Sequence, residues 1–174
     1  MTNTEPYNRT LALNRAATAA RSTVLPAALF IAGNIALPQL AHLVPGGGPT
    51  WLPIYLFTLV GAWCYGWRVG LLTAVLSPLA NSLIFGMPAT AVLPAILLKS
   101  TLLAGFASLA ASKVRGVKIG ALAAVVIAYQ GLGTLGEWAL SGSFFTACQD
   151  FRIGLPGMLL QIVGGWLAIH SLRR

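Results

Sequence analysis

Lys99 is the residue of this sequence that most needs a chemical explanation. It lies about ten residues into the apolar run 89–111, deep enough to put its ammonium near the middle of a bilayer. A charge there costs at least about 2.5–3.5 kcal/mol on insertion scales, so something must compensate for it. Two readings are open: the ammonium faces the interior of a helix bundle and meets an anionic group of a ligand, or its stem carries it outward or onto backbone carbonyls. Asn81, Gln130 and Gln161 are further polar side chains set among apolar neighbours. They fit a cavity shared with Lys99, and taken singly they fit interhelical hydrogen bonds equally well. Glu137, Trp138, Asp150 and Arg152 lie around the last polar connection, and apart from Glu5 they include all the acidic residues of the chain. Aromatic and charged groups there can close over a solute. Trp51 and Trp138 also suit the interfacial anchoring common to tryptophan, and Asp150 and Arg152 can simply pair with each other.

Other chemistries find little to work with. The sequence has no Ser/His/Asp arrangement and no paired carboxylates within an apolar run, and Pro45-Gly-Gly-Gly-Pro49 lacks the Lys and Ser/Thr of a nucleotide loop. His42 and His170 fall at opposite faces of the membrane, and Cys64 and Cys148 have neither metal-ligand nor disulfide-framework spacing. The expectation is a protein without metal, cofactor or catalytic activity of its own.

The elements that must position these residues are membrane helices. Of the 174 residues 57% are hydrophobic and 8% charged, against roughly 25% charged in an ordinary soluble domain. The mean hydropathy is +0.80. The predicted fold is an all-α integral membrane protein, a bundle of six transmembrane helices at residues 23–43, 51–65, 69–85, 89–111, 119–136 and 153–172, the second being short. The glycine-proline segment 45–49 reads as a loop, 66–68 and 86–88 as tight turns, 113–118 as a basic turn, and 141–152 as a longer polar connection. Residues 1–22 read as a cytoplasmic segment leading into the first helix, without a cleavable signal, and 23–172 as a single membrane domain.

Arg9, Arg15, Arg21, Arg68, Lys113, Arg115, Lys118, Arg173 and Arg174 fall on one side of this arrangement, and Arg152 on the other. By the positive-inside rule both termini are cytoplasmic, in a multi-pass protein of the plasma membrane. The net charge of +8 is explained by this asymmetry and by anionic headgroups, without nucleic acid. Ala16 and Ala20 stand four apart in an Ala-rich helix start, a small-xxx-small spacing that admits a partner helix.

The stretch from Leu37 to Lys99 resembles the substrate-binding (S) component of energy-coupling-factor vitamin transporters. The resemblance rests on the long first outer loop, the Gly-rich approach to the third helix, and Ser77-Pro78 followed by Gly86-Met87-Pro88. The Ala16 to Ala20 stretch is similar to the Ala-xxx-Ala face with which such proteins dock on their coupling subunit. The resemblance implies a six-helix bundle that captures a vitamin or related micronutrient in an outward-facing pocket. It also implies partners: a transmembrane coupling protein and two ATPase subunits that supply the energy. Carried onto this chain, the candidate pocket residues are Trp51, Asn81, Lys99, Gln130, Glu137, Trp138, Asp150 and Arg152. A small oligomeric channel or facilitator is the alternative, and a membrane enzyme or assembly factor acting on lipid has the least support.

Overall fold

The computed structural model describes residues 5–173, with side chains from Ser22 to Arg173. All regular structure among them is helical: α1 (Glu5–Ala41), α2 (Gly47–Trp51), a 3-10 turn (Pro53–Tyr55), α3 (Leu56–Tyr65), α4 (Trp67–Phe85), α5 (Leu93–Lys113), α6 (Ile119–Ser141), α7 (Phe144–Ala147), α8 (Gln149–Ile153) and α9 (Leu155–Leu172). Five segments are long and apolar enough to cross a membrane, namely Ser22–Ala41 of α1, α4, α5, α6 and α9. Large apolar side chains such as Leu29, Leu83, Ile127 and Leu159 face outward on them. Water would disfavour such a surface and acyl chains would not, the signature of a membrane protein.

The expected second span, 51–65, is not one helix. Leu52 takes a left-handed conformation (φ 45°) between α2 and the 3-10 turn, and Pro53 behind it has no amide to continue a helical ladder. What remains, α3, has ten residues and is about 15 Å long, half the roughly 30 Å of a hydrocarbon core. It is a core helix: Thr58, Leu59, Val60, Gly61, Ala62 and Trp63 are all buried, and α1, α4, α5 and α9 pack around it. Gly66, at φ 85°, turns the chain from α3 into α4. Gly70 lets the two helices touch, since a Cβ there would stand 2.5 Å from that of Ala62.

Three further boundaries differ from the sequence reading. The segment 45–49 is a loop only in part, because Gly47, Gly48 and Pro49 open α2, where a first-turn proline loses no hydrogen bond. α6 passes through Gly136 and stops at Gly142, whose left-handed φ of 68° closes the helix, so Glu137 and Trp138 are helical. The connection 141–152 is folded into α7 and α8.

A polar staple ties α1, α3 and α4. The buried Asn34 donates through Nδ2 to Thr58 Oγ1 (3.0 Å) and Ser77 Oγ (3.1 Å), and its Oδ1 accepts the amide of Phe57 (3.2 Å), an otherwise unpaired donor in the first turn of α3. Pro38 lies in α1 four residues after Asn34 and has no N–H to give the Asn34 carbonyl. Asn81 Nδ2 fills that role at 2.8 Å and also donates to Ser77 O at 3.1 Å, while Gln39 donates to Asn81 Oδ1 at 3.1 Å.

The two ends of the bundle differ in charge. Arg68, Lys113, Arg115, Lys118 and Arg173 stand at the end holding the α3–α4 and α5–α6 turns and the last turn of α9. The other end joins the tails of α1, α4 and α6 to the starts of α5 and α9, with Arg152 as its one arginine or lysine outside α5 among the described residues.

Candidate functional site

Lys99 belongs to the sparsely charged end. Because α5 starts at Leu93, its Cα lies about 9 Å from the helix start, nearer one mouth of the bundle than the midplane expected from a span beginning at 89. The side chain is 2% exposed. Its stem crosses to α6 at Gly133, where a Cβ would come within 2.5 Å of Lys99 Cγ, and Leu98 meets Gly136 in the same way. This pair of glycines brings α5 and α6 together around the lysine.

Two carboxylates converge on the ammonium. Lys99 Nζ lies 2.5 Å from Glu137 Oε2 and donates to Asp150 Oδ2 at 2.8 Å. Glu137 is on α6, one helical turn beyond the Gly133 notch, so helical periodicity places it over the stem that Gly133 admits. Asp150 comes from the other direction, on α8, which folds back over the bundle mouth. Two of the chain's three acidic residues thus neutralise its one intramembrane lysine. The lysine is buried and its carboxylates partly so, and removing either carboxylate would leave the buried ammonium less compensated.

The cluster borders a cavity of about 390 Å³ at this end of the bundle. Lys99, Glu137, Asp150, Asn81, His42, Tyr55, Thr146 and Gln149 give it its polar edge, and Pro38, Leu52, Ile54, Met87, Val92 and Ile96 much of its apolar wall. Its volume falls at the small end of the about 300–1,000 Å³ typical of ligand pockets, and its apolar lining with few convergent polar groups matches their usual make-up.

The structure therefore brings together four of the sequence candidates, Lys99, Glu137, Asp150 and Asn81, and separates the rest. Asn81 reaches the cavity with both amide hydrogens already given to the backbone. Trp51 is 45% exposed, with its backbone against Gly157 of α9 and its side chain outside the lining. Trp138 is also largely exposed and meets Phe144 edge-on, with ring centroids 5.4 Å apart. Arg152 stands over the Phe145 ring at 3.8 Å, while Asp150 pairs with Lys99. Gln130 is fully buried two turns before Glu137 on α6, and neither atom of its amide has a partner among the described residues. Gln161 is buried as well and accepts the Tyr129 hydroxyl at 2.7 Å. Ala16 and Ala20 lie on the part of α1 outside the described side chains.

Sequence reasoning passed over Tyr55, Thr146 and Gln149, and set His42 aside because His170 lies at the opposite face. His42 and Tyr55 sit beside the helix-breaking prolines and glycines of 45–53, and Thr146 and Gln149 in a segment read only as a polar connection. Gly133 has no distinguishing mark of its own in the sequence. Its place four residues before Glu137 was the available signal, since that spacing stacks both on one face of α6.

Comparison with family models, with curated proteins and with solved structures finds no match to this chain.

Proposed function

We propose that the chain is the membrane-embedded, substrate-binding subunit of an energy-coupling-factor-type transporter, capturing a vitamin or related micronutrient at the outer face for import driven by partner subunits. The observation that carries this reading is the cavity of about 390 Å³ bordered by the Lys99–Glu137–Asp150 cluster at the sparsely charged end of the bundle. Under the positive-inside rule that end faces outward, and both termini are cytoplasmic. The crossing count of six is reached when the buried α3, with the 3-10 turn and α2 above it, completes the path across the membrane inside a wall of longer helices. Irregular backbone at membrane depth is tolerated in such a position, shielded by protein. The plasma membrane is the expected location. A transmembrane coupling protein and two ATPase subunits would provide the energy, with Ala16 and Ala20 on the docking face.

The test is native mass spectrometry on the chain purified in mild detergent, followed by calorimetric titration with whatever co-purifies and with a panel of B vitamins. One small molecule held per chain supports the reading. Absence of binding together with a stable oligomer would replace it by the channel. Docking is tested separately: Ala16→Leu should preserve solute binding and abolish co-purification with the coupling protein and ATPases, and an intact complex would remove Ala16 from that role.

A further inference from the structure

The charge lining the cavity narrows the ligand. Lys99 contributes +1, Glu137 and Asp150 contribute −2, and with histidine neutral the sum is −1. Arg152, the remaining charged residue at this end among those described, is outside the lining and engaged with Phe145. Each carboxylate gives Lys99 one oxygen, Glu137 Oε2 and Asp150 Oδ2. Among the described residues, Glu137 Oε1 and Asp150 Oδ1 receive no hydrogen bond, so the mouth of the cluster is left with two unused anionic acceptors. Tyr55 supplies an independent sign of an absent partner: it is 2% exposed, it lines the same cavity, and its hydroxyl bonds to none of the described residues.

The donors that could meet an anion are, apart from Lys99, neutral groups such as His42, Tyr55 and Gln149. The Lys99 ammonium already serves two carboxylates, and the Asn81 amide hydrogens are spent on Asn34 O and Ser77 O. An anionic ligand would have to compete with two carboxylates for the ammonium while adding a second negative charge to the site. An inorganic cation fits poorly too, because Ca²⁺ takes about six to eight oxygen ligands and the walls here are mostly apolar.

We propose that the cavity binds a compact, largely apolar organic cation whose protonated nitrogen donates to Glu137 Oε1 and Asp150 Oδ1. This deepens the solute-binding reading and rests on it. The ligand's body lies against Leu52, Ile54, Met87 and Ile96, and Tyr55 is placed to bond a heteroatom on it. Lys99 acts as a positioning residue, holding the two carboxylates side by side and lowering the site's charge from −2 to −1, without touching the ligand's cation.

The experiment titrates the purified full chain with three near-isosteric probes that differ in charge: benzamidine (cationic), benzamide (neutral) and benzoate (anionic). Benzamidine should bind saturably and at least about tenfold more tightly than either of the others, a difference of about 1.4 kcal/mol. Glu137→Gln and Asp150→Asn should each erode that preference by a similar factor while the apolar contribution shared with benzamide persists. The comparison on the unaltered chain does not depend on either variant folding. Benzoate binding as tightly as benzamidine, or no saturable benzamidine binding, overturns the proposal. The broader reading is judged apart from it, by whether a small molecule co-purifies at one per chain: a co-purified anion would keep a solute-binding subunit and discard the cationic ligand.

Discussion

Two polar assemblies inside the bundle are finished to different degrees. In the Asn34–Asn81 staple each amide hydrogen and oxygen has a protein partner, and one of its bonds repairs the carbonyl left open by Pro38. The Lys99–Glu137–Asp150 cluster is paired internally yet keeps two carboxylate oxygens unused at the edge of a cavity. A closed network can serve only the fold, because nothing in it is left to meet a newcomer. An open one pays for its vacancy in stability and gains a place for a ligand.

The sharpest way to break this contrast is Lys99→Met, which leaves two partly buried carboxylates facing each other. We expect a loss of about 3–5 kcal/mol, read as a collapse of the thermal transition in detergent. The triple change Lys99→Met, Glu137→Gln, Asp150→Asn should recover most of that stability, because a neutral cluster no longer buries uncompensated charge. A single variant as stable as the parent would mean that the cluster is not desolvated. Next is Asn34→Ala, which orphans the Phe57 amide in the closed network and should lower stability by about 1–3 kcal/mol. Cavity ligand binding should be unchanged by it, since Asn34 lies outside the lining. A large binding defect in a folded Asn34→Ala protein would dissolve the distinction between the two assemblies. Gly133→Leu should cost about 1–3 kcal/mol by forcing the Lys99 stem aside, and it should impair binding out of proportion to stability. The smallest effect is expected for Arg152→Gln, which removes an exposed cation–π contact worth about 0.5–1 kcal/mol and leaves the cluster intact.

Much of this contrast was invisible in the sequence, for reasons that can be named. Lys99 stood out because a charge in an apolar run is conspicuous, and Glu137 and Asp150 because acidic residues are so few. Their convergence was not legible: it depends on Gly133 admitting the lysine stem and on α8 folding back, and neither leaves a periodic trace. Helix lengths went wrong where breakers were judged by type alone. Gly136 was read as a stop and is interior to α6, whereas Leu52, an unremarkable apolar residue, marks the real break through its left-handed backbone. Asn34 escaped notice inside the first apolar run, although Pro38 four residues later announces an orphaned carbonyl at that position. The lopsided placement of arginine and lysine was readable throughout, because it needs only the order of loops. Trp51, Trp138 and Arg152 looked alike to Glu137 in sequence and differ from it in the direction their helices turn them.

The separation of Lys99 from Asp150 along the chain, 51 residues, also has a meaning in time. At synthesis rates of about 5–20 residues per second, roughly 3–10 s pass between the emergence of the lysine and that of its second partner. Until Glu137 follows, 38 residues on, α5 must enter the bilayer on the strength of its own leucines, carrying an ammonium that neither carboxylate yet neutralises. The apolar richness of α5 is therefore a requirement of biogenesis as much as of the finished bundle, and the site matures last, when α8 closes over a helix that has been waiting for it.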